Sequence, residues 1–164
     1  MAFHQRKILI SDNLLNFQAF PVIRDLAIDR TALDELVRAG GTVDVHTGTA
    51  PDADGVAQPH ACAELALDYA SCIGCGACVA ACPNGAAMLF AGAKLTHLAL
   101  MPQGRQERSR RARRMIAALD QAFGPCSLYG ECELACPAGI PLVAVAQVNK
   151  ERLRAAWRGP SKDD

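Results

Sequence analysis

Cys72-Ile-Gly-Cys75-Gly-Ala-Cys78-Val-Ala-Ala-Cys82-Pro83 is the stretch on which the reading of this chain turns. Its cysteines follow the spacing C-x2-C-x2-C-x3-C-P. Two intervening residues let three thiolates curl about one centre. Gly74, Gly76 and Ala77 keep the backbone between them bare enough for its N–H groups to approach that centre. After the longer gap the fourth thiolate points away from the first three, and Pro83 turns the chain. A second run, Cys126-Ser-Leu-Tyr129-Gly-Glu-Cys132-Glu-Leu-Ala-Cys136-Pro137, matches the first at every cysteine except one. Tyr129 stands where the first run has Cys75.

This spacing is that of proteins holding two iron–sulfur clusters, in which the last cysteine of each run ligates the other cluster. The crossing rule assigns Cys72, Cys75, Cys78 and the distant Cys136 to a [4Fe–4S] cluster. Cys82, Cys126 and Cys132 remain for the second site. Tyrosine rarely replaces a thiolate on such a cluster, so three protein ligands suit a [3Fe–4S] cluster lacking one corner. The competing reading of eight cysteines is a pair of all-thiolate zinc sites, a non-redox interaction module. Zinc ligands come as separated pairs, unlike a run of four ending in Cys-Pro. Disulfides would need an export context that the N-terminus, Met-Ala-Phe-His-Gln-Arg-Lys followed by Ser11, Asp12 and Asn13, does not suggest. Cys62, outside both runs, reads as a small buried residue, and His4, His46, His60 and His97 show no paired metal spacing.

Working outward, the chain reads as mainly α, an α-helical ferredoxin domain around two clusters. Residues 1–59 form a lead-in with one helix, Ala32 to Ala39, capped by Asp29 or Thr31 and stopped by Gly40-Gly41. A turn-rich connector follows, with a short strand at Val43–His46. The cluster domain covers 60–158, with helices over His60–Ala70, Ala86–Leu100, Gln106–Phe123 and Pro141–Trp157. Residues 159–164 form a frayed tail.

Lys+Arg and Asp+Glu balance at 17 each, so overall charge points to no nucleic-acid partner. Arg105, Arg108, Arg110, Arg111, Arg113 and Arg114 are the one local asymmetry. They read as a solvated helix face, or as a docking surface for an acidic partner or anionic lipid. The apolar runs are too short to cross a bilayer, which leads to the expectation of a protein made and kept in the cytoplasm. Nothing in the sequence offers a base, nucleophile or substrate cradle.

A full cysteine run followed by C-x2-Tyr-x2-C-x3-C-P resembles the iron–sulfur subunit of succinate dehydrogenase and fumarate reductase. The likeness extends from about Ala19 to Trp157. It takes in Ala19-Phe-Pro-Val-Ile-Arg-Asp-Leu26 and Asp29-Arg-Thr-Ala-Leu-Asp34, and the cysteine run with its following Asn84-Gly85 is similar to the bacterial branch. The resemblance implies an electron-transfer subunit that relays electrons from a flavoprotein subunit, through [2Fe–2S], [4Fe–4S] and [3Fe–4S] clusters, to a quinone. The quinone would be reached through a membrane-anchor cytochrome b subunit. The cluster on Cys82, Cys126 and Cys132 would lie nearest the quinone, with Pro83 and Ser127 as quinone-side neighbours. The expected location is peripheral, on the cytoplasmic side of the cell inner membrane, with dicarboxylate chemistry on a partner chain. A stand-alone ferredoxin-like carrier, or a subunit of another reductase, is the alternative.

Two departures qualify this picture. The family holds its [2Fe–2S] cluster on four N-terminal cysteines, and no cysteine precedes Cys62 here. The expectation is a truncated chain, a domain supplied separately, or a shortened paralogue. Family members also carry a tryptophan soon after the Pro83 position and a histidine after the Cys126 position. Here Asn84 to Met88 contains no tryptophan, and Ser127 follows Cys126.

Overall fold

The structure, a computed structural model, describes residues 20–25, 27–43, 58–102 and 104–158. A small antiparallel ribbon opens it, β1 (Val22–Arg24) and β2 (Ala27–Ile28), with Val22 opposite Ile28 and Arg24 opposite Ala27. Among the described residues seven helices follow: α1 (Thr31–Gly40), α2 (His60–Ala70), α3 (Ala77–Ala81), α4 (Met88–Leu100), α5 (Gly104–Ala122), α6 (Glu131–Leu134) and α7 (Val143–Arg158). The mainly helical class expected from the sequence holds, with a ferredoxin-type domain at its centre.

Helix α4 is the axle. Ten of its residues are buried on all sides, from Met88 through Phe90 and Leu95 to Ala99, because α2, α5 and α7 all pack around it. A helix apolar all round belongs in a core. Small side chains at its crossings let the backbones close in: a β-carbon on Gly92 would fall 2.2 Å from the Ala144 carbonyl oxygen of α7. Helix α1 lies against α5, and Phe20, Leu33 and Leu36 join the same buried cluster as Val79, Met115 and Val148.

The long helices start and stop within a few residues of expectation. The N-terminus of α1 is organised from outside it: Asp29 Oδ1 accepts the Thr31 backbone N–H at 2.8 Å and the Thr31 hydroxyl at 2.5 Å. That draws the Asp29 carboxyl below its ordinary value. The ribbon at 22–28 falls in the lead-in ahead of the helix, where no strand was expected. Val43 lies outside any strand, and the rest of the expected strand to His46 and most of the connector lie outside the described residues.

The arginine run is only in part a solvated face: Arg114 is exposed, but others of the run are not. Arg111 is 3% exposed and donates to Glu107 at 2.9 Å and to the Thr42 carbonyl at 3.5 Å. Arg108 donates through Nε to Glu151 of α7 at 2.7 Å, and through Nη2 to the other carboxylate oxygen. Arg113 reaches the Ala155 carbonyl at 3.5 Å. These charges fasten α5 to its neighbours. The Arg105 side chain lies outside the described residues.

Among the described residues, no helix is long and apolar enough to cross a membrane.

Candidate iron–sulfur centres

The two cysteine runs share a left-handed backbone at three equivalent positions. Gly74 and Leu128, each two residues after the opening cysteine, have φ of 66° and 57°. Gly76 and Gly130 have φ of 81° and 83°, and each serves as the N-cap of the short helix that follows, α3 or α6. Gly85 and Gly139, three residues after the closing cysteines, have φ of 62° and 64°. Left-handed φ at these points turns the chain back on itself, and glycine takes it without strain. Leu128 takes it at a cost, as the sole non-glycine of the set. Helices α3 and α6 then pack against each other, so the repeat is also a spatial pair.

Two cavities result. The first is lined by Cys72, Cys75, Cys78 and Cys136, with Gly74, Gly76, Phe90 and Ile140 among the walls. The second is lined by Cys82, Cys126 and Cys132, with Pro83, Ser127, Leu128 and Tyr129. Each cavity therefore contains cysteines from both runs, and the closing cysteine of each run sits in the cavity of the other. Tyr129 lines the second cavity and is 62% exposed. Cys62 sits apart and half-buried rather than fully buried, its thiol donating to the Leu100 carbonyl at 3.7 Å.

The local electrostatics couple the thiols within each cavity and, through Cys78 and Cys132, across the two. Burial, and then the neighbouring thiols of Cys72, Cys75, Cys132 and Cys136, push the Cys78 thiol up to about 12. Burial also raises Cys132, with Cys82 and Cys126 adding to it. Thiolates crowded in this way need a cation to hold their charge, and a coordinating metal deprotonates a thiol outright. Backbone donors are at hand: Ile140 N–H points to Cys136 Sγ at 3.4 Å. Arg30 Nη2 donates to the Gly74 carbonyl at 2.5 Å, which steadies the loop between Cys72 and Cys75.

The donor set fits a polynuclear cluster. A lone zinc ion would draw four sulfurs to about 2.3 Å from one point. Among the described residues, no group of three or more His, Cys, Asp or Glu side chains converges closely enough for one ion. An iron–sulfur cluster asks for a wider ring, because each thiolate binds a different iron. Soft thiolates on all sides, positive-φ glycines and apolar walls are what such a cluster requires.

Residues 71–140 match the family described as a 4Fe-4S dicluster domain. Fold, cavities and match together define an iron–sulfur protein of electron transport. Along most of its length the chain is a homologue of named iron–sulfur subunits. It is 30% identical over 149 residues to the succinate dehydrogenase iron-sulfur subunit of Bacillus subtilis, an alignment covering 86% of this chain and 57% of that one. It is 32% identical over 152 residues to the fumarate reductase iron-sulfur subunit of Mycobacterium tuberculosis, covering 87% of this chain and 58% of that one. The chain thus spans less than two thirds of the length of either relative.

The seven cysteines that the sequence assigns to two sites line two separate cavities. Sequence reasoning missed the hydrogen bonds that join the two runs, chiefly those of Asn84. An asparagine immediately after Cys-Pro was the available signal.

Proposed function

We propose that this chain is an electron-relay subunit of a succinate dehydrogenase or fumarate reductase type complex. Cys72, Cys75, Cys78 and Cys136 would hold a [4Fe–4S] cluster, and Cys82, Cys126 and Cys132 a [3Fe–4S] cluster. One observation carries the reading: Cys136 lines the first cavity and Cys82 the second, the exchange expected of a two-cluster protein. Bound there, the clusters would supply reversible one-electron acceptance. The protein's own part is to ligate, to aim backbone N–H groups at sulfur, and to keep water back with Leu89, Phe90 and Ile140. Tyr129, in place of a fourth thiolate, leaves the second site a ligand short, which favours a three-iron cluster of higher potential.

The relatives are subunits by name. The proposal therefore assigns dicarboxylate chemistry to a flavoprotein partner and quinone chemistry to a cytochrome b membrane anchor, with the chain peripheral on the cytoplasmic side. Pro83 and Ser127, at the second cavity, would face the quinone side. Any [2Fe–2S] cluster would be held elsewhere than on the cysteines of this chain.

The test is electron paramagnetic resonance of anaerobically purified protein, with iron and sulfide analysis. Oxidised protein should give a three-iron signal, and reduced protein a four-iron signal. Colourless protein that takes up zinc and no iron on reconstitution would overturn the reading. Recovery without a flavoprotein or membrane cytochrome would favour a free-standing carrier.

A further inference from the structure

The loop around Cys126 is tied to the turn after Cys82 by hydrogen bonds that neither cysteine run makes by itself. Asn84, two residues beyond Cys82, donates through Nδ2 to the Pro125 carbonyl at 2.9 Å and to Ser127 Oγ at 2.8 Å. These two acceptors flank Cys126. A carbonyl oxygen only accepts, so the amide nitrogen and not the amide oxygen must face this loop. Both N–H groups of Nδ2 are then committed. The backbones are equally close: a β-carbon on Gly124 would fall 1.8 Å from the Asn84 carbonyl oxygen. The Cys126 loop lies flat on the turn after Cys82.

The consequence falls on Ser127. Its oxygen accepts from Asn84, so its own proton is left to be donated in another direction. Ser127 lines the second cavity together with Cys82, Cys126 and Cys132. A hydroxyl that accepts one hydrogen bond also becomes a better donor in the next.

We propose that Asn84 is a positioning residue that turns the Ser127 hydroxyl proton into the second cavity, onto a sulfur of the cluster held there. The proposal rests on the three-iron reading of that site. Hydrogen bonds to sulfur stabilise the more negative, reduced cluster and so raise its potential. Ser127 then acts as a potential-setting donor, and Asn84 acts through it.

The experiment is a redox titration of the full chain followed by paramagnetic resonance, comparing wild type with Ser127→Ala, Ser127→Thr, Asn84→Leu and the Asn84→Leu/Ser127→Ala double variant. Ser127→Ala should lower the reduction equilibrium of the three-iron centre about tenfold, which is 59 mV for one electron. Ser127→Thr keeps the hydroxyl and should hold the wild-type value. Asn84→Leu should shift the same centre in the same direction. The double variant should shift no further than Ser127→Ala, because the two residues act in one chain. The four-iron centre should not move in any of them. If Asn84→Leu loses its iron, the Ala and Thr variants at Ser127 still decide the matter. A full three-iron signal with unmoved potential in Ser127→Ala overturns the proposal while leaving the cluster reading intact. Absence of any three-iron signal from wild type overturns both.

Discussion

Gly92 of α4 lies against Ala144 of α7, whose carbonyl oxygen would stand 2.2 Å from any β-carbon placed on the glycine. The obstacle is backbone, so no side chain can swing aside to relieve it. Gly92→Ala should therefore push the two helices apart and destabilise the protein by about 1–3 kcal/mol. Urea unfolding checks this, and a stabilised or unchanged variant would mean that the helices cross less closely.

The crossing of ligands makes a sharper demand. Cys136 belongs to the second run in sequence but lines the first cavity. Cys136→Ala should therefore weaken or convert the four-iron signal while sparing the three-iron one. Cys82→Ala should do the reverse. Spectra in which each substitution damages the site of its own run would contradict the interleaving.

Tyr129 occupies the ligand position that Cys75 fills in the first run. Tyr129→Cys should raise the iron content by up to one atom per chain and shift the oxidised spectrum from three-iron towards four-iron character. The side chain is 62% exposed, so the substitution should cost little stability. An unchanged iron count and spectrum would count against the open corner.

Leu128 repeats the left-handed backbone of Gly74 with φ of 57°, and its side chain is largely solvent-exposed. Leu128→Gly should relieve strain and leave stability unchanged or higher by about 0.5 kcal/mol. Leu128→Val, with a branched β-carbon, should cost about 1 kcal/mol. Thermal unfolding of the pair reads the difference, and equal melting temperatures would argue against the strain.

Glu151 is 2% exposed and binds Arg108 and Arg154. Burial alone would raise its carboxyl, yet the two arginines hold it below its ordinary 4.5. A carboxylate depressed in the folded state stabilises above its unfolded pKa and loses that contribution as pH falls through the folded one. Glu151→Gln should cost about 2 kcal/mol near neutrality. The gap from wild type should narrow as pH drops below 4.5. Paired urea titrations measure it, since acid loss of iron is common to both proteins. A gap that does not change with pH would sink the assignment.

How far the sequence could be read depended on the range of the interactions. The cysteine runs are local patterns whose chemistry restricts their geometry, so the seven residues around the two cavities were legible. The helix ends were legible because Gly40-Gly41 and Gly124-Pro125 break helices locally. The ribbon of Val22–Arg24 and Ala27–Ile28 was not. Its strands are too short for a period-two pattern, and its turn uses Asp25 at φ 51° rather than a glycine. The arginine run misled for a different reason. Charge density along a helix says nothing about which acids await it, and Glu151 approaches from α7, far along the chain. Cys62 was read as a small buried residue, and its position at the α2–α4 edge leaves it half-buried.

Cys78 and Cys82 stand four residues apart on α3 and its C-terminal cap, yet they serve different cavities. That short backbone step, roughly 6 Å of helical rise, ties the two proposed redox centres together. Covalent geometry maintains that step, so docking a partner or loosening the outer helices cannot stretch it. Tunnelling between the centres should be fast and unregulated. On the proposed reading, any valve on the current would then sit at the outer edge of one cavity or the other, near Cys75 or near Tyr129.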